Sequence, residues 1–279
     1  MEDILLVANA KIYSAVSWLS FGIFEDFFFQ LNEAMSNITE EEVTFSFSFL
    51  FAQKKNEFTL FFFEKMFVVL SDAYQISSDL FPRIVNRIDK HFESQGIKIS
   101  SEMTEQMNQL FSQLKSTFCE LRANYIIKKK LKWKGEAYNL QDEDPPGKSS
   151  PSFLKISKLC LWLKQVCQKV EQFLSKSSSR LITSAIIEII LLDFLNNTSF
   201  WKEFEECVGF GGLQQFLLDL RSMQERCKNY MTKTSLNAIG EMMEKSVLLF
   251  CEKTSTQPKD AIKPPSWFED KLTSLDNVL

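Results

Sequence analysis

The stretch Ile156-Ser157-Lys158-Leu159-Cys160-Leu161-Trp162-Leu163-Lys164-Gln165-Val166-Cys167-Gln168-Lys169-Val170-Glu171-Gln172-Phe173 decides the fold class. Ile156, Leu159, Leu163, Val166, Val170 and Phe173 are spaced 3-4-3-4-3. That is the seam of an amphipathic α-helix packed against other helices. Downstream, Ser177-Ser178-Ser179 separates it from Arg180–Leu195, which is apolar almost all round and is expected to be the central, most buried helix. Asn196-Asn197-Thr198-Ser199 ends that segment and supplies an N-cap for a helix over Phe200–Val208. Gly209-Phe210-Gly211-Gly212 reads as a stop. Leu213–Met231 and Leu236–Lys253 follow as helices. Ser266-Trp267-Phe268-Glu269, just after Pro264-Pro265, has the S-x-x-E form of a capping box and opens a short terminal helix.

Upstream, Asp142-Glu143-Asp144-Pro145-Pro146-Gly147-Lys148-Ser149-Ser150-Pro151 cannot continue a helix. It divides the chain into an N-terminal Phe-rich helical region, 1–139, a linker, 140–153, and a C-terminal bundle, 154–279. Before the linker, a helix from about Glu102 carries the stripe Met103, Met107, Leu110, Leu114, Phe118, Leu121 and Tyr125. Glu102 and Glu105 near its start and Lys128, Lys129 and Lys130 near its end complement the helix dipole. Phe63, Met66, Phe67 and Leu70 keep one helical face. After Pro82, Ile84, Val85, Ile88 and Phe92 continue as a short helix ending before Gly96.

Fourteen of the 27 phenylalanines fall between Phe21 and Phe67. Within them, Val43–Phe51 alternates with period two, which reads as a strand and as an aggregation-prone window. Phe45–Gln53 reads equally as a translated polypyrimidine tract ending in a CAG codon, the 3′ edge of an intron.

Across its 279 residues the chain is 45% apolar and 24% charged, ordinary for a globular protein, and carries a net charge of −4. Few glycines (8) and prolines (7) disfavour a turn-rich β fold, so the expected architecture is all-α, an elongated antiparallel helical bundle. The acidic balance argues against a nucleic-acid binder. One histidine, His91, excludes two-histidine metal motifs, and without a companion nucleophile it reads as a surface residue. Six scattered cysteines with no C-x-x-C pair read as free thiols in a reducing compartment. The acidic N-terminus is unlike a signal peptide, and no apolar run reaches a membrane span, so a cytoplasmic location is expected. Gly209-x-Gly211-Gly212 lacks a preceding strand and has Gln214 where a dinucleotide motif needs its third glycine, so it reads as a connector. Glu203, Glu205 and Glu206 read as a solvated face. No catalytic, cofactor-binding or metal-binding residue and no small-molecule substrate is therefore expected.

Lys128-Lys129-Lys130-Leu131-Lys132-Trp133-Lys134 is the most pointed run. Five lysines with an interleaved tryptophan suit an anionic lipid surface, with Trp133 at headgroup level. A lysine-rich helix end neutralised by Asp142, Glu143 and Asp144 accounts for the same residues.

Read in order, Phe200-Trp201 with the acids after it, Gly212-Leu213-Gln214-Gln215-Phe216 and Trp267-Phe268 resemble the C-terminal helical region of the eighty-four-type exocyst subunit (component 8) family, most like its plant form. The resemblance covers roughly 154–279, and Gly-Leu-Gln-Gln-Phe is its most specific piece. The family's N-terminal coiled-coil and pleckstrin-like region has no counterpart, which implies a partial or truncated chain and leaves open the small-GTPase binding that region carries. The resemblance implies a non-enzymatic scaffold in a vesicle-tethering complex, peripheral at the plasma membrane or secretory vesicles, with other exocyst subunits as partners. A different class, a helical carrier whose Phe-rich half encloses lipid or another apolar ligand, fits the same composition.

Overall fold

The computed structural model describes residues 2–36, 66, 69–92, 100–141 and 150–276. Among the described residues the chain is all-helical, with no strand. Val43–Phe51, the segment with strand-like alternation, lies outside them. The chain packs as two compact units, Met1–Leu121 with Gln172–Leu174, and Arg122–Glu171 with Ser175–Leu279. Residues 122–139 thus belong with the C-terminal helices, whereas the linker composition suggests a division at 140–153. The reason is local: the turn Gly135–Tyr138 is built into the second unit's core.

In the first unit, α1 spans Glu2–Ser36 and α2 spans Phe81–Phe92. Tyr13, Phe21 and Phe28 of α1 are buried, and the Phe21 and Phe24 rings meet Phe81 at 6.0 and 5.5 Å. Tyr13 Oη donates to Asp89 Oδ1. The helical pattern continues through Pro82. Helical residues from Val69 run into a π turn, Ile76–Leu80, and straight on into α2. A proline clashes with the carbonyl four residues back. Here the Phe81 N–H reaches Ile76 O, five residues back, and the widened turn accommodates the ring. The third helix, α3, spans Ser100–Ile126, belongs to this unit through Leu121, and buries its expected stripe at Met103, Met107, Leu114 and Phe118. Thr117 Oγ1 donates to Asn32 Oδ1 at 2.6 Å, which fixes α3 on α1.

The second unit holds α4 (Pro151–Val170), α5 (Lys176–Asn196), α6 (Thr198–Cys207), α7 (Phe210–Arg226), α8 (Lys233–Thr254), α9 (Pro258–Ala261) and α10 (Pro265–Asp276). The seam of α4 is buried at Ile156, Leu159, Leu163, Val166 and Val170, and Phe173, past the helix end, is half-buried. Asn197 caps α6 by accepting from Phe200 N at 3.0 Å. Ser175 and Thr232 cap α5 and α8 in the same way.

The central helix is α7, not the Arg180–Leu195 segment. Leu181 of α5 is 63% exposed, whereas every residue from Gly211 to Leu220 is buried. Around α7 pack α4, α8, α10 and the Gly135–Tyr138 turn. The glycines before it are also not a stop. Gly209 is the N-cap, and Gly211 and Gly212 lie in the first helical turn. All six cysteines are free, with Cys119, Cys160, Cys167 and Cys227 buried. No helix among the described residues is long and apolar enough to cross a membrane.

Candidate functional site

The residues that carry the family-like pattern converge on α7. Phe200, Trp201 and Phe204 of α6 are buried, as are Phe194 of α5 and Phe216 of α7. Their rings lie in mutual contact: Phe194–Phe200 at 4.8 Å, Phe204–Phe216 at 5.1 Å and Trp201–Phe216 at 5.8 Å between centroids. Most of these pairs are edge-on or tilted, the orientations that aromatic quadrupoles favour. Tyr138 closes the cluster edge-on to Phe216 at 5.1 Å. The Trp201 indole N–H donates to Leu195 O at 2.7 Å, so its one polar group is satisfied.

The turn bearing Tyr138 approaches so closely that only glycine fits at two places. A Cβ on Gly212 would lie 1.6 Å from Tyr138 O, and one on Gly135 would lie 2.2 Å from Phe204 N. Glu203 joins this contact: its Oε2 accepts from Gly135 N at 3.0 Å. It therefore departs from the solvated face expected for the acidic trio, while Glu205 and Glu206 are exposed. Cys207 Sγ donates to Gly135 O at 3.4 Å.

Beneath the aromatic cluster lies a buried polar network that the sequence pattern does not reveal. Tyr138 Oη donates to Asp219 Oδ2 at 3.0 Å, and Gln215 Nε2 donates to Asp219 Oδ1 at 2.7 Å. Ser152 also bonds the carboxyl. Burial pushes the Asp219 carboxyl up to about 7, against the lowering effect of these bonds. Tyr138 is raised well above its ordinary range, first by burial and then by Asp219. Gln214, beside it, faces the C-terminal segment. Its Nε2 donates to Ala261 O at 2.6 Å and its Oε1 accepts from Lys263 N at 3.0 Å. The Gln-Gln pair is thus two buried clamps, one within α7 and one to the end of α9 and the chain just after it.

At the C-terminal end Phe268 is fully buried, with the Arg221 guanidinium 3.9 Å above its ring. Trp267 is half-buried and edge-on to Phe268 at 4.9 Å. Between α7, α8 and α9 runs a groove of about 400 Å³ lined by Leu217, Arg221, Met243, Val247, Leu248 and Ile262.

The lysine run is divided. Lys128, Lys132 and Lys134 are exposed. Lys132 adopts the left-handed conformation, φ 39°, and ends the π turn Ile127–Leu131 that follows α3. The side chains of Lys129 and Lys130 lie outside the described residues. Trp133 does not stand out with the lysines. Its indole stacks flat on Phe194 at 3.9 Å and 5° and is only half-exposed. The left-handed turn at Lys132 redirects the chain, and the aromatic cluster offers the ring a better-packed site than solvent. The His91 side chain also lies outside the described residues. Among those described, no group of three or more His, Cys, Asp or Glu side chains is placed to hold a metal ion. Comparison with protein families, with curated proteins and with solved structures finds no match to this chain.

Proposed function

We propose that the chain is a non-enzymatic scaffold subunit of the exocyst type, helping to tether secretory vesicles at the plasma membrane. The observation that carries the reading is the convergence on α7. Phe200, Trp201, Gly212, Leu213, Gln214, Gln215, Phe216 and Phe268, eight of the nine residues of the resemblance, are buried parts of one unit, and the ninth, Trp267, is half-buried. Such a pattern serves architecture, as a scaffold requires, and presents no reacting group to solvent. Other exocyst subunits are the partners in this reading, and the chain works in the cytoplasm at the membrane periphery. Exposed Lys128, Lys132 and Lys134 add an attraction to anionic lipid. Affinity purification of the full chain from cells tests the reading. Stoichiometric recovery of exocyst subunits is expected, and their absence from a well-folded preparation overturns it.

A second reading, a carrier of lipid or another apolar ligand, draws on the groove between α7, α8 and α9. Apolar Leu217, Met243, Val247, Leu248 and Ile262 line it beside the charged Arg221 and Glu244. Solvent extraction of the purified chain separates the two: a stoichiometric lipid favours the carrier.

A further inference from the structure

Helix α1 carries two apolar faces. One, through Tyr13, Phe21 and Phe28, is buried within the first unit. The other is exposed: Ile12 by 54%, Val16 by 41%, Leu19 by 68%, Ile23 by 63% and Phe27 by 40%. These five are spaced 4-3-4-4 along the helix, the repeat of a coiled-coil seam. At 1.5 Å per residue the seam is roughly 22 Å long. A contiguous exposed apolar stripe of this kind marks an interaction surface, and its helical repeat fits another helix.

The charges select the occupant. Exposed Asp26 stands at the border of the seam near its end, and exposed Glu33 continues that side of the helix six residues beyond it. The whole of α1 carries five carboxylates, Glu2, Asp3, Glu25, Asp26 and Glu33, against the single cation Lys11. A second copy would bring two helices of net charge −4 together, and an anionic membrane is repelled in the same way. The chain's own segment 37–65 is no better matched. It holds five glutamates, Glu40, Glu41, Glu42, Glu57 and Glu64, against Lys54, Lys55 and Lys65. We propose that the Ile12–Phe27 face of α1 docks an amphipathic helix of a partner protein whose apolar seam is bordered by lysine or arginine. The inference is independent of the exocyst reading, because any basic amphipathic helix satisfies it.

The test uses the full chain and two synthetic three-heptad helical peptides that share one Leu/Ile seam. One is flanked by lysine and the other by glutamate, and binding is read by fluorescence anisotropy. The lysine peptide is expected to bind at least about tenfold tighter than the glutamate peptide, and to weaken as salt rises. The double variant Leu19→Asp/Ile23→Asp is expected to lose about tenfold or more in affinity with an unchanged melting temperature. Asp26→Asn/Glu33→Gln is expected to narrow the preference between the peptides. Equal binding of the two peptides overturns the proposal. So does a wild-type dimer in light scattering that Leu19→Asp/Ile23→Asp converts to monomer, which assigns the face to a second copy. A lowered melting temperature in that variant assigns the face to the chain's own packing. Sedimentation with acidic vesicles that the variant abolishes assigns it to membrane.

Discussion

The Tyr138 hydroxyl and the Asp219 carboxylate share a hydrogen bond of 3.0 Å in the buried centre of the second unit, with Gln215 on the other carboxylate oxygen. Through it, the turn Gly135–Tyr138 is held on α7 by a group that titrates near neutrality.

The first prediction follows from that titration. Asp219 is raised from 3.8 to about 7 by burial, so the folded chain holds its proton more tightly than the unfolded one. The associated stability is therefore fully present below about pH 4 and is lost as pH rises through about 7. At about 1.4 kcal/mol per decade of proton activity, the loss is on the order of 4 kcal/mol. Melting of the wild type between pH 5 and 8 is expected to show a fall in midpoint that Asp219→Asn lacks. Parallel pH profiles for the two proteins count against the assignment.

The second prediction concerns glycines. An exposed helical Gly→Ala change ordinarily stabilises by about 1 kcal/mol. That is the expectation for Gly240→Ala in α8, where a new Cβ meets nothing within 4 Å. Gly212→Ala has the same helical setting but drives the Cβ into Tyr138 O. Backbone cannot yield as a side-chain tip does, so a loss of about 3 kcal/mol or more is expected. Urea unfolding of the two variants checks the opposite signs. Equal effects would mean the turn is not seated on α7.

What the sequence made legible tracks how far an element's pattern is set by its own residues. The 156–173 seam, the Asn197 cap and the existence of a terminal helix follow from spacing and local chemistry, and α4 and α6 stand where those signals put them, while α10 opens at Pro265, one residue before the Ser266 expected as its cap. The centrality of α7 is different. Gln214, Gln215 and Asp219 signal a surface, and Gly211-Gly212 signals an end, until Tyr138, Ala261 and Lys263 arrive from distant parts of the chain. Pro82 is similar, since nothing nearby announces the π turn that tolerates it. Trp133 sits in a run of lysines, and its commitment to Phe194 is a tertiary fact.

The third prediction separates the two terminal aromatics. Phe268 is fully buried under Arg221, whereas Trp267 is half-exposed. Phe268→Ala is expected to cost about 3–5 kcal/mol and Trp267→Ala less than half of that. Gln214→Leu leaves Ala261 O and Lys263 N without their partner and is expected to cost about 2–4 kcal/mol. Limited proteolysis after α8 should release the C-terminal segment faster in Phe268→Ala and Gln214→Leu than in the wild type. An unchanged digestion rate argues that this segment is held by other contacts.

The fourth prediction addresses the lysine run. With Trp133 stacked on Phe194, any attraction of Lys128–Lys134 to lipid rests on charge without an indole anchor. Five lysines at about 1 kcal/mol each set a ceiling of about 5 kcal/mol, which corresponds to an affinity weaker than about 0.1 mM. Binding of that kind is screened steeply by salt and biases a complex that other contacts already hold. Neutralising Asp142, Glu143 and Asp144 is expected to strengthen it, because the sequence then carries less negative charge close to the lysine run. Co-sedimentation with acidic liposomes at low and high salt is the measurement. Changing Lys128, Lys129, Lys130, Lys132 and Lys134 to Gln is expected to abolish the low-salt fraction. Trp133→Ala is expected to leave that fraction intact while lowering the melting temperature, because the ring's partner is Phe194. If the quintuple variant sediments like the wild type at low salt, the run is a solvated helix end. If Trp133→Ala also loses binding without losing stability, the indole serves the membrane after all.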